Sequence, residues 1–278
     1  MEKIINIKNL EKRYTSLTGN VTTALSDVTL DVREGEFVTV VGPSGCGKST
    51  LLRIIAGLLP YEKGTVTVRG QEVKNPVDGI GMVFQTPALL PWRKVLQNVL
   101  LPIEIMKEDE KKYRKKALEL LELAGLKGFE DRYPFELSGG MQQRVSICRA
   151  LIHDPPILLM DEPFGALDAM TRDEMNLELL RIWDEKRKTV VFVTHSIPEA
   201  VFLADRVAVM SCTPGTVISE EDIDIGRPRD LRVRTTRKFS EYVELIRRKI
   251  GRSTGPTKKD DTLEKDAGVT SKKIQTFE

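Results

Sequence analysis

The sequence predicts an α/β domain with a mainly parallel central sheet. Three observations carry this. From Pro156 onward, apolar runs at 157–160, 190–193 and 207–210 alternate with helical stretches near 169–186 and 198–204. Such runs suit strands covered on both faces. Further upstream, the apolar strand "FVTVV" passes through a glycine-rich turn straight into the apolar helix "LLRIIAGLL", a strand–turn–helix unit typical of such sheets. Finally, 278 residues that are 40% hydrophobic and 30% charged suffice for one well-filled core plus a small appendage.

Taken in order, the first third reads as strands at 4–7, 24–32 and 36–41, then 65–69 and 81–84 after a helix. The charged and glycine-bearing stretches "REGE" and "EKGT" mark turns between them. The middle is helical. Over 111–124 the residues Ala117, Leu118, Leu121 and Ala124 share one face, and Gly125 is a stop. A second helix starts near Ser138 and carries Val145, Cys148, Arg149 and Ile152. Near the end Phe239, Tyr242, Leu245, Ile246 and Ile250 make a short amphipathic helix. After Gly251 the chain turns polar and charged and reads as a flexible tail. No internal repeat is evident, so each motif occurs once.

Composition narrows the function classes. With 43 Lys+Arg against 41 Asp+Glu the net charge is only +2, which gives no support to a general nucleic-acid binder. No apolar run approaches the roughly 20 residues that span a bilayer, so a membrane role must come through partners. Cys46, Cys148 and Cys212 are odd in number and widely spaced, as expected of reduced thiols in the cytosol. With His153 and His195 as the sole histidines, a structural zinc site is not expected.

The chemistry starts at Gly42, where "GPSGCGKST" fits G-x-x-x-x-G-K-[ST]. Gly42, Gly45 and Gly47 let the backbone N–H groups of the loop (with Pro43, Ser44 and Cys46 between them) point inward at phosphate. The N-terminus of the following helix adds to that field. Lys48 would reach the β- and γ-phosphates, Ser49 would ligate Mg²⁺, and Thr50 would add a phosphate contact. The chain lacks the N-K-x-D run that reads guanine. In "ILLMDEP" an apolar strand ends in two carboxylates. Asp161 is placed to hold the Mg²⁺ shell, and Glu162 to polarise the attacking water. In "LSGGMQQR", Ser138, Gly139 and Gly140 stand at a helix start, a second anion-binding N-terminus. One loop already serves the triphosphate, so a second makes sense for a nucleotide on another subunit.

Together these segments resemble the Walker A, signature and Walker B elements of ABC ATPases, in that family's order, over most of residues 4–211. The resemblance implies a P-loop NTPase of the ABC type: a mainly parallel core sheet, an antiparallel β subdomain and a helical subdomain at about 86–155. The ATPase domain would cover 1–225, a helical extension 226–250 and a flexible tail 251–278. It also implies roles for four further positions. Gln85 in "GMVFQ" looks like the glutamine that senses Mg²⁺ and the membrane partner. Asp168 in "GALD" belongs to the loop that touches the opposite subunit. His195 in "VFVTHS" looks like the switch histidine at the γ-phosphate. Tyr14 in "EKRYTS" resembles the aromatic that stacks on adenine. Two positions depart from the family pattern: Met141 stands where Gln is common, and Ser196 where Asp often follows the histidine.

The resemblance implies ATP and Mg²⁺ as ligands and a head-to-tail homodimer, with each ATP between Lys48 and Ser49 of one subunit and Ser138–Gly140 of the other. "LLPW", "EAVFLADRV" and "GRPRD" further resemble the ATPases of nitrate, sulfonate and taurine importers. That points to permease subunits, an indirect extracytoplasmic solute-binding partner and a place on the cytoplasmic face of the inner membrane. No nucleic-acid partner is expected. The apolar stretch after Gln85, with Pro91 and Trp92, reads equally as core or as a dock for the permease. The main rival is an ABC-type ATPase acting on nucleic acid or ribosomes. Against it, no sustained heptads separate the first and second motifs, and the chain holds a single ATPase module.

Overall fold

The computed structural model describes residues 2–165, 167–212 and 214–253. Two sheets organise them. The first is antiparallel and built from β1 (Lys3–Thr15), β2 (Val21–Arg33), β4 (Lys63–Val68) and β5 (Gln71–Glu72), in the order β2-β1-β4-β5. The second contains β3 (Phe37–Val41), β6 (Ile80–Val83), β7 (Ile157–Asp161), β8 (Thr189–Thr194), β9 (Arg206–Met210) and β10 (Val217–Asp222), in the order β10-β9-β3-β8-β7-β6. All neighbours in it are parallel except β10 on β9. The helices are α1 (Lys48–Ile55), α2 (Val95–Ile105), α3 (Glu110–Leu123), α4 (Gly139–Leu151), α5 (Ala169–Lys186), α6 (Ile197–Leu203) and α7 (Arg237–Ser253).

Every residue of β3, β7, β8 and β9 is buried, because layers cover both faces of the second sheet. On one face Phe37, Val190 and Phe192 pack with Phe164, Trp183, Phe202 and Phe239. On the other, Val38, Val40, Val191 and Val193 meet α1 and the inner face of the antiparallel sheet through Leu51, Leu52, Ile5, Ile7 and Leu30. Period-2 alternation thus divides each strand between two cores. A third core joins α2, α3 and α4 through Val99, Ile103, Leu121, Val145 and Cys148. It adjoins the first core along α4, whose Ile147, Ala150 and Leu151 pack there, and through Leu120, which touches both.

Four features differ from the sequence reading. The strands placed at 4–7 and 24–32 are each 13 residues long, extended by a hairpin. β10 was not anticipated. It is an edge strand with one exposed face, and its acidic "SEED" hides the β pattern. The stretch after Gln85 contains a whole helix, α2, with Pro102 inside it. On α3, Ala117, Leu121 and Ala124 are buried, but Leu118 is 38% exposed. Leu120 is the neighbour that packs inward. Gly125 does end the helix, at φ +66°.

The stretch 226–253 is built into the core. Phe239 and Ile246 are buried among the residues of α5 and α6. Arg229, 5% exposed, gives its guanidinium N–H groups to the carbonyls of Val201, Phe202, Ala204, Ile223 and Ile225. Three of those carbonyls end α6, so the cation also meets the negative end of a helix. Burial pushes the Arg229 pKa down to about 10, which still leaves it charged at neutral pH. The tail expected from 251 lies outside the described residues from 254 onward, while 251–253 complete α7. Arg229→Met should strand these carbonyls and lower unfolding stability by about 2–4 kcal/mol, read by urea titration.

Candidate nucleotide-binding site

Parallel register brings the chemistry to one sheet edge. Val41 at the end of β3 lies beside Thr194 of β8, and Asp161 of β7 beside Val193. The P-loop, the two carboxylates and His195 therefore leave the sheet at the same end. That is where ligands bind in open α/β folds.

The loop from Gly42 to Gly47 needs its glycines for different reasons. Gly47 caps α1 at φ +91°, and a Cβ there would fall 2.6 Å from Leu25 Cδ2. A Cβ on Gly42 would fall 2.6 Å from the Met210 carbonyl. Lys48 is buried, and its Nζ donates to the carbonyls of Gly42 (2.9 Å) and Pro43 (2.8 Å). The ammonium thus lies inside the ring of the loop. Cys46 turns its side chain away into the core, where burial raises its thiol pKa in spite of Lys48. Only the backbone of Cys46 is available to a phosphate.

A cleft of about 470 Å³ opens over this loop. It is lined by Ser44, Gly45, Gly47, Lys48, Ser49 and Thr50, by Gln85 and Glu162 at one side, and by Tyr14, Thr22, Thr23 and Ala24 at the other. Tyr14 is 42% exposed, and its hydroxyl is 3.2 Å from the Thr50 hydroxyl. The ring is therefore tied to the loop and open to a flat partner. Thr22, Thr23 and Ala24 were not singled out from sequence. They enter because β2 is longer than expected and pairs Thr22 with Tyr14.

Behind the cleft, Ser49 Oγ donates to Asp161 Oδ1 at 2.8 Å. Asp161 is 1% exposed, and burial raises its pKa. Both atoms are hard oxygen donors, as Mg²⁺ demands. Among the described residues no group of three or more His, Cys, Asp or Glu could hold a metal by itself. The pair fits an ion shared with phosphate oxygens.

Glu162 follows at φ +44°, a left-handed conformation unusual for glutamate. Its N–H donates to the Val193 carbonyl (2.9 Å), so the sheet enforces the conformation. Glu162 Oε2 lies 2.9 Å from His195 Nδ1. The two expected reactive groups are thus in contact, with His195 the more exposed.

Gln85 is placed by residues to which the sequence reading assigned no role. Gln143 Nε2 donates to the Phe84 carbonyl (3.0 Å), and Arg149 donates to the carbonyls of Pro87 (2.8 Å) and Ala88 (2.9 Å). Both sit on α4, so the segment carrying Gln85 is wired to the helix that Ser138 opens. Buried Asn98 fastens the next stretch through Leu90, Arg93 and Lys94.

Ser138, Gly139, Gly140 and Asp168 do not line the cleft. Ser138 caps α4 by accepting from the Met141 N–H at 3.3 Å. Asp168 caps α5 by accepting from the Thr171 N–H at 3.0 Å, a bond that holds its carboxyl below the usual range. The two caps are neighbours: a Cβ on Gly140 would meet Leu167 Cδ2 at 2.8 Å. Among the described residues the cleft over the P-loop and the helix N-terminus at Ser138 thus stand apart.

Comparison with known proteins agrees with this geometry. Residues 25–165 match the ABC transporter family. An uncharacterised ABC transporter ATP-binding protein of Methanocaldococcus jannaschii is 50% identical over 246 residues, covering 88% of this chain and 91% of that one. A taurine import ATP-binding protein of Rhizobium johnstonii is 47% identical over 234 residues, covering 82% and 89%. An aliphatic sulfonates import ATP-binding protein of Bacillus licheniformis is 47% identical over 229 residues, covering 82% and 86%. In three dimensions the chain is similar to a bacterial ABC transporter cassette solved as a dimer, with TM-score 0.72, 39% identity, and coverage of 80% of this chain and all of that one (100%). The same cassette was solved as a dimer after hydrolysis with ADP and phosphate bound, at TM-score 0.72 and 38% identity. The chain belongs to the ABC transporter family, as an ATP-binding subunit.

Proposed function

We propose that the chain energises an importer of nitrate, sulfonate, taurine or a related small solute, hydrolysing ATP at the cytoplasmic face of the membrane. The observation that carries this is the division of the site: a cleft with Tyr14, Lys48 and Glu162 in one place, and the Ser138 helix start in another. Two copies packed head to tail would bring each helix start over the other's cleft. Relatives named for taurine and aliphatic sulfonates support the solute class. Among the described residues no helix is long and apolar enough to cross a membrane, so the passage itself belongs to permease subunits and delivery to an extracytoplasmic solute-binding protein.

In this reading Tyr14 stacks on adenine. The N–H groups of residues 44–47 and the start of α1 hold the phosphates. Lys48 exchanges its two carbonyl partners for β- and γ-phosphate oxygens. Ser49, Asp161 and Gln85 would hold Mg²⁺, which when bound neutralises charge developing on the phosphates. Glu162 orients a water and takes its proton as the water oxygen attacks the γ-phosphorus and ADP departs. His195 holds Glu162 on one side and meets the γ-phosphate with the other. Ser138–Gly140 of the second copy close the site. Loss of the γ-phosphate removes what joins the two copies. The difference in affinity between ATP and ADP becomes motion of the permease.

Two measurements test this. Mass spectrometry of proteins co-purified from detergent-solubilised native membranes should show a multi-span permease in stoichiometric amount. Ribosomal proteins or nucleic acid in its place would remove the transport reading and leave the ATPase standing. Glu162→Gln should bind ATP normally while steady-state turnover falls by about 100-fold or more. Native turnover in that variant would exclude Glu162 as the base.

A further inference from the structure

Directly behind His195 lies a carboxylate that the mechanism does not use. Glu199, in the first turn of α6, is 6% exposed. Its Oε2 accepts from the Thr194 hydroxyl at 2.5 Å, while its Oε1 has no hydrogen-bond partner. Burial raises its pKa, and the Thr194 hydroxyl and the charge of Arg172 oppose that rise. Thr194 Oγ1 also accepts from the N–H of Ser196 (3.0 Å), and the Ser196 hydroxyl accepts from the N–H of Glu199 (3.4 Å). The residues on both sides of His195 are therefore fastened to Glu199.

On the other side of Glu199 stands α5. Asn176 is fully buried, and its side chain lies near enough to Glu199 to oppose the rise in its pKa. Arg172 spans the turn before α5, donating to the carbonyls of Phe164 (3.2 Å) and Leu167 (2.8 Å). Leu167 is the residue that meets Gly140. A purely structural position would be filled more cheaply by an apolar side chain than by an acid with one oxygen unmatched.

We propose that Glu199 is a positioning residue, holding the residues on both sides of His195 through the Thr194 hydroxyl and the Ser196 turn and so fixing the His195 ring against Glu162. The proposal rests on the role given above to His195.

The full-length chain, labelled at histidine, tests this by NMR. It holds two histidines, so a His153→Gln variant suffices to assign the ring signals. Thr194→Val removes the hydroxyl and keeps the β-branched shape of a strand residue. Glu199→Leu removes the acceptor, and Glu199→Gln keeps an acceptor oxygen. The first two should shift or broaden the His195 signals and leave those of His153 in place, with Glu199→Gln near native. In ATPase assays the first two should lower kcat about tenfold with KM within about twofold, and their double variant should fall no further than either alone. Native His195 signals with native kcat, a KM rise at constant kcat, or fully additive losses would each overturn the proposal. If Glu162→Gln turns over normally while Thr194→Val still moves the His195 signals, the assigned base fails and the positioning role stands.

Discussion

The parallel register of β3, β8 and β7 is the constraint on which the rest depends. It sets Val41 beside Thr194 and Asp161 beside Val193, and each functional loop begins one residue later. A one-residue slip in any strand would invert its side chains between the two cores. Phe192 would then leave the aromatic cluster with Phe37 and Phe164. Packing on both faces thus fixes the register, and the register fixes the 2.8 Å contact between Ser49 and Asp161. Hydrophobic cores packed beneath the nucleotide cleft determine whether its oxygens meet.

This explains which parts were legible in the sequence. β3, β7, β8 and β9 are buried throughout, so they read as uninterrupted apolar runs. The loops they deliver carry motifs with little conformational choice, Gly47 at φ +91° among them. Asp161, Glu162 and Lys48 could be placed from sequence because their strand and helix context is itself diagnostic. β10 and the far end of β2 could not. β10 has one wet face and the start of β2 is exposed or half-exposed residue after residue, so neither "SEED" nor "VTTA" shows an apolar alternation. Thr22 and Thr23 consequently went unnoticed as walls of the cleft.

The polar side chains that hold the helical subdomain were also hidden, for a different reason. Asn98, Gln143 and Arg149 look like ordinary helix residues, and their role is to satisfy carbonyls of an irregular segment that packs against them. Residues 84–94 make few regular backbone bonds, so their carbonyls need donors from elsewhere. Three side chains on α2 and α4 supply them. Sequence pattern can find a helix face that is apolar. It cannot tell a solvated amide from one that caps a loop far off in the chain.

The cleft is organised before any phosphate arrives, and this bears on how it acts. Lys48 already lies within the loop, held by the carbonyls of Gly42 and Pro43, so an arriving phosphate exchanges partners with it and does not have to order a free side chain. Glu162 keeps its left-handed backbone through the bond to Val193 and its side chain through His195. Such preorganisation lowers the reorganisation needed at the reacting atoms. What one copy does not organise is the second helix N-terminus, since Ser138 and Gly140 stand outside the cleft. The related cassette was solved as a dimer. In the proposed head-to-tail pair, a site rigid on one side and supplied from another chain on the other would be complete only on closure, which would make chemistry conditional on the closure that does mechanical work.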